Sequence, residues 1–153
     1  MNYTATISWQ KQPAEEFEKG RYSRAHQWIF DGGMKIAASA SPTIVPVPMS
    51  DPSLIDPEEA FLASLSSCHL LFFLSIAAKK KLIVEKYEDH VQGTMGENEE
   101  GKMAMLTVTL NPEISFSGEN KPSQETIREI HEFAHESCYI ANSVKTKIEI
   151  ITN

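Results

Sequence analysis

The sequence predicts an α+β fold in a single domain spanning residues 1–153, and three observations carry that expectation. Strand-forming and helix-forming stretches are grouped as strands, helix, strands, helix, strand, which is not the strict alternation of an α/β chain. One stretch, residues 60–78, holds no formally charged residue and is long enough for a buried central helix. The chain has 153 residues, of which 41% are hydrophobic, so it can enclose a core without metal or disulfide staples.

The elements follow in order. Residues 3–9 alternate β-forming side chains and read as a first strand. Residues 11–20 are polar, contain a proline and read as a loop. Tyr22, Arg24, His26, Trp28 and Phe30 fall on one face of a second strand by the two-residue period. Asp31, Gly32 and Gly33 form a hairpin turn, and residues 34–39 form the return strand. Residues 40–57 are rich in proline and small side chains and read as a long irregular loop, a kind of segment that is often functional.

A helix start is written at Asp56, Pro57, Glu58 and Glu59. Aspartate is a good N-cap, proline suits the first helical position, and Glu59 completes a capping box with Asp56. The helix runs to about Lys81, where Lys79, Lys80 and Lys81 favour the negative end of its dipole. Residues 82–95 and 102–110, extending toward Phe116, read as a long hairpin around the turn at residues 96–101. Pro122 and Ser123 open a second helix with Ile127, Ile130, Phe133 and Ala134 at helical spacing, and Cys138 lies at or just past its end. Residues 144–151 alternate as a last strand.

Composition narrows the function. A formal net charge of −7 argues against a surface that grips nucleic-acid phosphates. Two cysteines are too few for a secreted disulfide scaffold, and the opening MNYTATISWQ lacks the pattern of a secretory leader, so a cytoplasmic protein is expected. The uncharged helix is about 28 Å long, near the thickness of a hydrocarbon core. Its Ser64, Ser66, Ser67, Cys68, His69 and Ser75 weigh against a membrane span. A helix that is apolar all round and outside lipid must be enclosed by protein, which points to a central helix shared with a second subunit.

Cys68 is the residue with most chemical scope, although a free cysteine on an apolar helix most often serves as a small hydrophobe. It lies well beyond the first turn, where the helix dipole could lower its pKa, so an activating positive charge must come from another element. His69 follows it, but neighbouring helical side chains point about 100° apart, which makes a poor nucleophile and base pair. His131 and His135 share a helical face, yet two ligands without a third make a weak metal site, so no metal is expected and both histidines read as solvent-facing. Glu58 and Glu59 suit the helix dipole; a straight helix puts Glu58 about 15 Å from Cys68, so a functional Glu58 needs distorted backbone or a partner's site. Arg24 shares a strand face with aromatic residues and needs an acidic partner or a thiolate there, whereas Arg21 reads as solvated. Nothing in the spacing pairs Cys138 with Cys68.

The segment DPEEAFLASLSSC, residues 56–68, resembles the helix opening of the osmotically inducible protein C and organic hydroperoxide resistance (OsmC/Ohr) family, where a Pro-Glu pair precedes a peroxidatic cysteine by the same number of positions. YSRAHQWIFDGG, ASASPTIVPVP and CYIANSVKTKIEI resemble matching regions of a less characterised branch, so the resemblance covers nearly the whole chain. It implies antiparallel sheets around a long buried helix and a second helix, in an intertwined homodimer. It also implies that Cys68 is the peroxidatic cysteine, Cys138 the resolving cysteine, and Arg24 with Glu58 the activating pair. Tyr139 follows the second cysteine where better-known members have proline, and His69 follows the first where an aromatic is common. The activity implied is reduction of organic hydroperoxides, with hydrogen peroxide a second substrate. No cofactor is implied beyond an external dithiol or lipoyl-type reductant. Phe61, Phe72, Phe73 and Trp28 offer an apolar wall for the substrate. Two other readings stand beside this one: a non-catalytic dimeric binding or stress protein that holds an apolar ligand, and a Cys-His hydrolase.

Overall fold

The computed structural model describes residues 1–152 and gives the expected α+β class, with eight strands and two α-helices among the described residues. The chain divides into two compact units, residues 1–60 and 61–153.

The first unit carries an antiparallel sheet of β1 (Ala5–Ser8), β2 (His26–Phe30) and β3 (Lys35–Ala38), in that order. Trp28 pairs with Ile7 on one side and Ile36 on the other. The β2–β3 turn closes through the Gly33 amide, which donates to the Phe30 carbonyl, with Gly33 at φ +84°. The second strand is shorter than the two-residue pattern predicts, because β2 begins at His26 and leaves Tyr22 and Arg24 outside it. Local bonds hold that segment instead. Glu16 and Arg21 form an isolated bridge, Ser23 N–H donates to the Glu15 carboxylate (2.7 Å), and Arg24 N–H donates to the Met49 carbonyl (2.8 Å). A short 3-10 turn, Phe17–Lys19, interrupts the expected loop.

Helix α1 spans Pro57–Lys79. Its start is the predicted capping box: Glu59 N–H donates to Asp56 Oδ1 (2.8 Å) and Asp56 N–H donates to Glu59 Oε2 (3.2 Å). Its end is a Schellman turn, with Lys81 N–H donating to the Ala78 carbonyl and Leu82 N–H to the Ala77 carbonyl. Lys81 takes the left-handed conformation, φ +62°, where glycine is usual. The three lysines therefore do more than complement the dipole, since one of them makes the turn.

In the second unit the long hairpin is divided between two sheets. Residues 82–95 are not one strand; they form β4 (Ile83–Asp89) and β5 (Gln92–Glu97). β4 pairs with β7 (Pro112–Ser117), while β5 pairs with β6 (Met103–Leu110), on which β8 (Lys147–Ile150) lies parallel. Asp89 marks the division. Its carboxylate accepts the Asn111 amide (2.7 Å) and the Ser66 hydroxyl, so it ties the bend to α1. Helix α2 (Gln124–Ser137) starts at Ser123, whose hydroxyl accepts the Thr126 amide, and ends at Cys138 in extended backbone.

Two apolar clusters form this unit's core. Phe73, Ala77, Leu82, Ile130 and Ala134 join α1 to α2 and β4, and Leu65, Val108 and Leu110 join α1 to β6. Within α1 only the stripe Leu65, His69, Phe73 and Ala77 is buried, four residues apart at each step. Leu71 and Leu74 are exposed, so the single chain encloses one face of a helix that is apolar on several. By length and composition alone, α1 could cross a membrane.

Candidate functional site

Both cysteines are in the second unit, and the fold brings them together. Cys68 is on α1 beside the buried stripe, is half-buried and forms no disulfide. Cys138 is also free, but it is buried at the end of α2, where its sulfur accepts the Ala141 amide (3.4 Å). Burial first, and then the neighbouring Cys68, push its thiol up to about 11. Cys138 therefore keeps its proton at neutral pH and has Cys68 as a neighbour. The sequence had left this pairing open, because the separation of the two cysteines says nothing about how α1 and α2 cross.

Phe61 and Phe72 lie seven residues before and four after Cys68, on the same helical face. Both are half-buried; Phe61 packs on the Leu65 cluster and Phe72 on the Phe73 cluster. Tyr139 meets the Phe72 ring edge-on, with centroids 5.1 Å apart. Phe73 is fully buried in the core, so it forms no part of an accessible wall.

In the first unit, Arg24 is held by its own neighbourhood. Nη1 donates to the Gly20 carbonyl (3.1 Å) and to the Tyr22 carbonyl, and the guanidinium carbon lies 3.5 Å from the centre of the Tyr22 ring. Tyr22 belongs to an aromatic group with Phe17 (4.5 Å between centroids) and Trp9 (5.6 Å). Arg21 pairs with Glu16 at the surface, as its solvated reading required. Glu58 is half-buried in the first turn of α1, and among the described residues it forms no ion pair. Within the single chain, then, the Arg24 guanidinium meets carbonyls and a ring instead of the Glu58 carboxylate. The Trp28 indole N–H donates to His26 Nε2 (3.0 Å).

His131 corrects the sequence reading. It is not solvent-facing but buried with His69, and His69 Nε2 lies 2.9 Å from His131 Nδ1. Burial holds His69 down at about 3 and His131 at about 4, so both rings are neutral at ordinary pH. No group of three or more metal-ligating side chains exists among the described residues. The signal for this pair was weak in the sequence: His131 is flanked by Ile130 and followed by Ala134 on the buried face of α2, but nothing named its partner.

A family profile of OsmC-like proteins matches residues 50–153. No curated protein matches. An OsmC-like protein of unknown function from Vibrio cholerae is 50% identical, with 99% of each chain covered and a TM-score of 0.96. An OsmC-like protein from Mycoplasma pneumoniae is 20% identical, covering 100% of this chain and 96% of its own, with a TM-score of 0.73. An organic hydroperoxide resistance protein from Elizabethkingia anophelis is 18% identical, covering 98% and 92%, with a TM-score of 0.70. The last two share the fold. The chain belongs to the OsmC-like family.

Proposed function

We propose that this protein is a thiol-dependent peroxidase that reduces organic hydroperoxides, in which Cys68 attacks the peroxide and Cys138 resolves the product. The observation that carries the reading is Cys138, buried and protonated, against the half-exposed Cys68. The roles divide accordingly. The accessible sulfur meets substrate, and the enclosed thiol waits for it to be oxidised.

The Cys68 thiolate attacks one peroxide oxygen, the O–O bond breaks, and the other oxygen leaves with a proton as alcohol or water. Cys68 is now a sulfenic acid. The Cys138 sulfur then attacks it, an S–S bond forms and water leaves. An external dithiol, of which a lipoyl group is one kind, returns two electrons by exchange. Ionising an ordinary thiol of pKa about 8.5 gains only roughly thirtyfold at neutral pH, so most of the acceleration comes from stabilising charge on the departing oxygen. We assign that role to Arg24, with Glu58 orienting its planar guanidinium through paired hydrogen bonds. Phe61, Phe72 and Trp28 supply apolar surface that favours organic substrates over hydrogen peroxide.

The protein works in the cytoplasm as a homodimer. The uncovered apolar face of α1 at Leu71 and Leu74 supports a second copy there. The test is consumption of cumene hydroperoxide in the presence of a dithiol. Wild type turns over and Cys68→Ser, still folded, does not; equal turnover by the two proteins refutes the reading. Absence of any turnover, with a bound apolar ligand recovered from the protein, moves the function to ligand binding.

A further inference from the structure

Where α1 meets α2, His69 and His131 make a buried polar contact beside an apolar cluster. His69 and His131 are each at most 2% exposed, their rings are parallel within 8° with centroids 5.2 Å apart, and their nitrogens meet at 2.9 Å. The Phe73 ring lies 4.6 Å from His131, and Phe73, Ala77, Ile130 and Ala134 form the apolar cluster of the same two helices, while the Asp89 carboxylate and His135 are the other charged or titratable groups that act on the pair. Apolar side chains of the same size fill such a place with no polar group to satisfy, so stability alone gives little reason for two imidazoles.

Position gives a better one. His69 follows Cys68 directly, and His131 lies two turns before Cys138 on the same buried face as Ile130 and Ala134. Apolar contacts let two helices slide past one another by small steps, whereas a hydrogen bond is short and directional. The tautomer is also set. His69 Nδ1 is buried without a partner, and an unpaired acceptor is tolerated better than an unpaired N–H, so His69 donates from Nε2 and His131 accepts at Nδ1.

We infer that the His69–His131 hydrogen bond is a positioning device that fixes α1 against α2 and thereby sets the approach of Cys138 to Cys68. It governs the formation of the disulfide and leaves the first attack on peroxide alone. The inference deepens the peroxidase reading and rests on it for its biological meaning. The positioning itself does not require that reading.

The test is therefore made without peroxide. The full-length protein is equilibrated in glutathione redox buffers, and the ratio of disulfide to dithiol gives the effective concentration of one thiol at the other. His131→Leu removes the acceptor, and the double variant His69→Leu with His131→Leu keeps an apolar interface if the single change unfolds the protein. Loss of alignment lowers the effective concentration by about tenfold or more in both. His131→Asn, which offers an acceptor near the position of Nδ1, restores it, and a purely space-filling role predicts no such rescue. An unchanged ratio in a folded variant overturns the inference. A parallel measurement with cumene hydroperoxide and a sulfenic-acid trap separates the two claims. Peroxide consumption at the wild-type rate with slowed disulfide formation and more trapped sulfenic acid supports both, whereas a wild type that forms neither disulfide nor trapped sulfenic acid refutes the peroxidase reading and leaves the glutathione result to decide the positioning.

Discussion

The Cys138 thiol, enclosed where α2 ends, lies against Cys68 of α1, and burial with that neighbour pushes it up to about 11. Its proton stays in place at neutral pH, while Cys68 is partly open to solvent. Treatment of the reduced native protein with iodoacetamide near neutral pH should therefore add one label, at Cys68, with the second appearing only on unfolding. Cys68→Ser should take up none while folded. Fast double labelling would show that Cys138 is not enclosed as described.

The neutral histidine pair gives the fold an acid limit. Burial depresses His69 to about 3 and His131 to about 4, against a value near 6.5 in the unfolded chain. His131 opposes its own desolvation through Asp89, while the charges of His131 and His135 act against protonation of His69. The unfolded state binds more protons than the folded one between pH 6.5 and the depressed values, so this contribution is complete above pH 6.5 and falls through that window as acid is added. Loss of one to two protons' worth of linkage corresponds to a slope of about 1.4 to 2.7 kcal/mol per pH unit at its steepest. Urea melts at pH 7 and pH 5 check this. The double leucine variant should lose that part of the slope, and an unchanged slope would contradict the burial of the pair.

The two ends of α1 offer opposite changes in stability. Asp56→Ala removes the carboxylate that accepts the Glu59 amide, leaving the backbone N–H of residue 56 to Glu59, and should cost about 1 kcal/mol. Lys81→Gly relieves the left-handed backbone of the Schellman turn and should gain about 1 kcal/mol, raising Tm by roughly 2–4 °C. Thermal melts of the two variants read both signs directly.

The Arg24 guanidinium carbon lies 3.5 Å from the centre of the Tyr22 ring while Nη1 donates to the Gly20 and Tyr22 carbonyls. Arg24→Lys keeps the charge but loses the fork of donors. Peroxide turnover should fall by about a hundredfold, with the melting temperature nearly unchanged. A lysine variant with full activity would remove Arg24 from the proposed chemistry.

Much of this was legible in the sequence for local reasons. The Asp56 cap with Glu59 and the Ser123 start of α2 are written in adjacent residues, and both appear where expected. The division of residues 82–95 into β4 and β5 was not legible, because it depends on Asp89 reaching Asn111 and Ser66, a long-range arrangement with no local period. The two-residue alternation puts Arg24 on a strand, yet Glu15 and Met49 hold that segment outside the sheet. The meeting of Cys68 with Cys138, and of His69 with His131, arises from the crossing of two helices whose apolar faces can be read but whose register cannot.

The measurement that bears most directly on the central claim is intact mass under non-reducing conditions after one equivalent of cumene hydroperoxide, with Cys138→Ser alongside. The account predicts loss of two hydrogens in the wild type and gain of one oxygen in the variant. An unchanged mass in both, with every thiol still countable after unfolding, would contradict it.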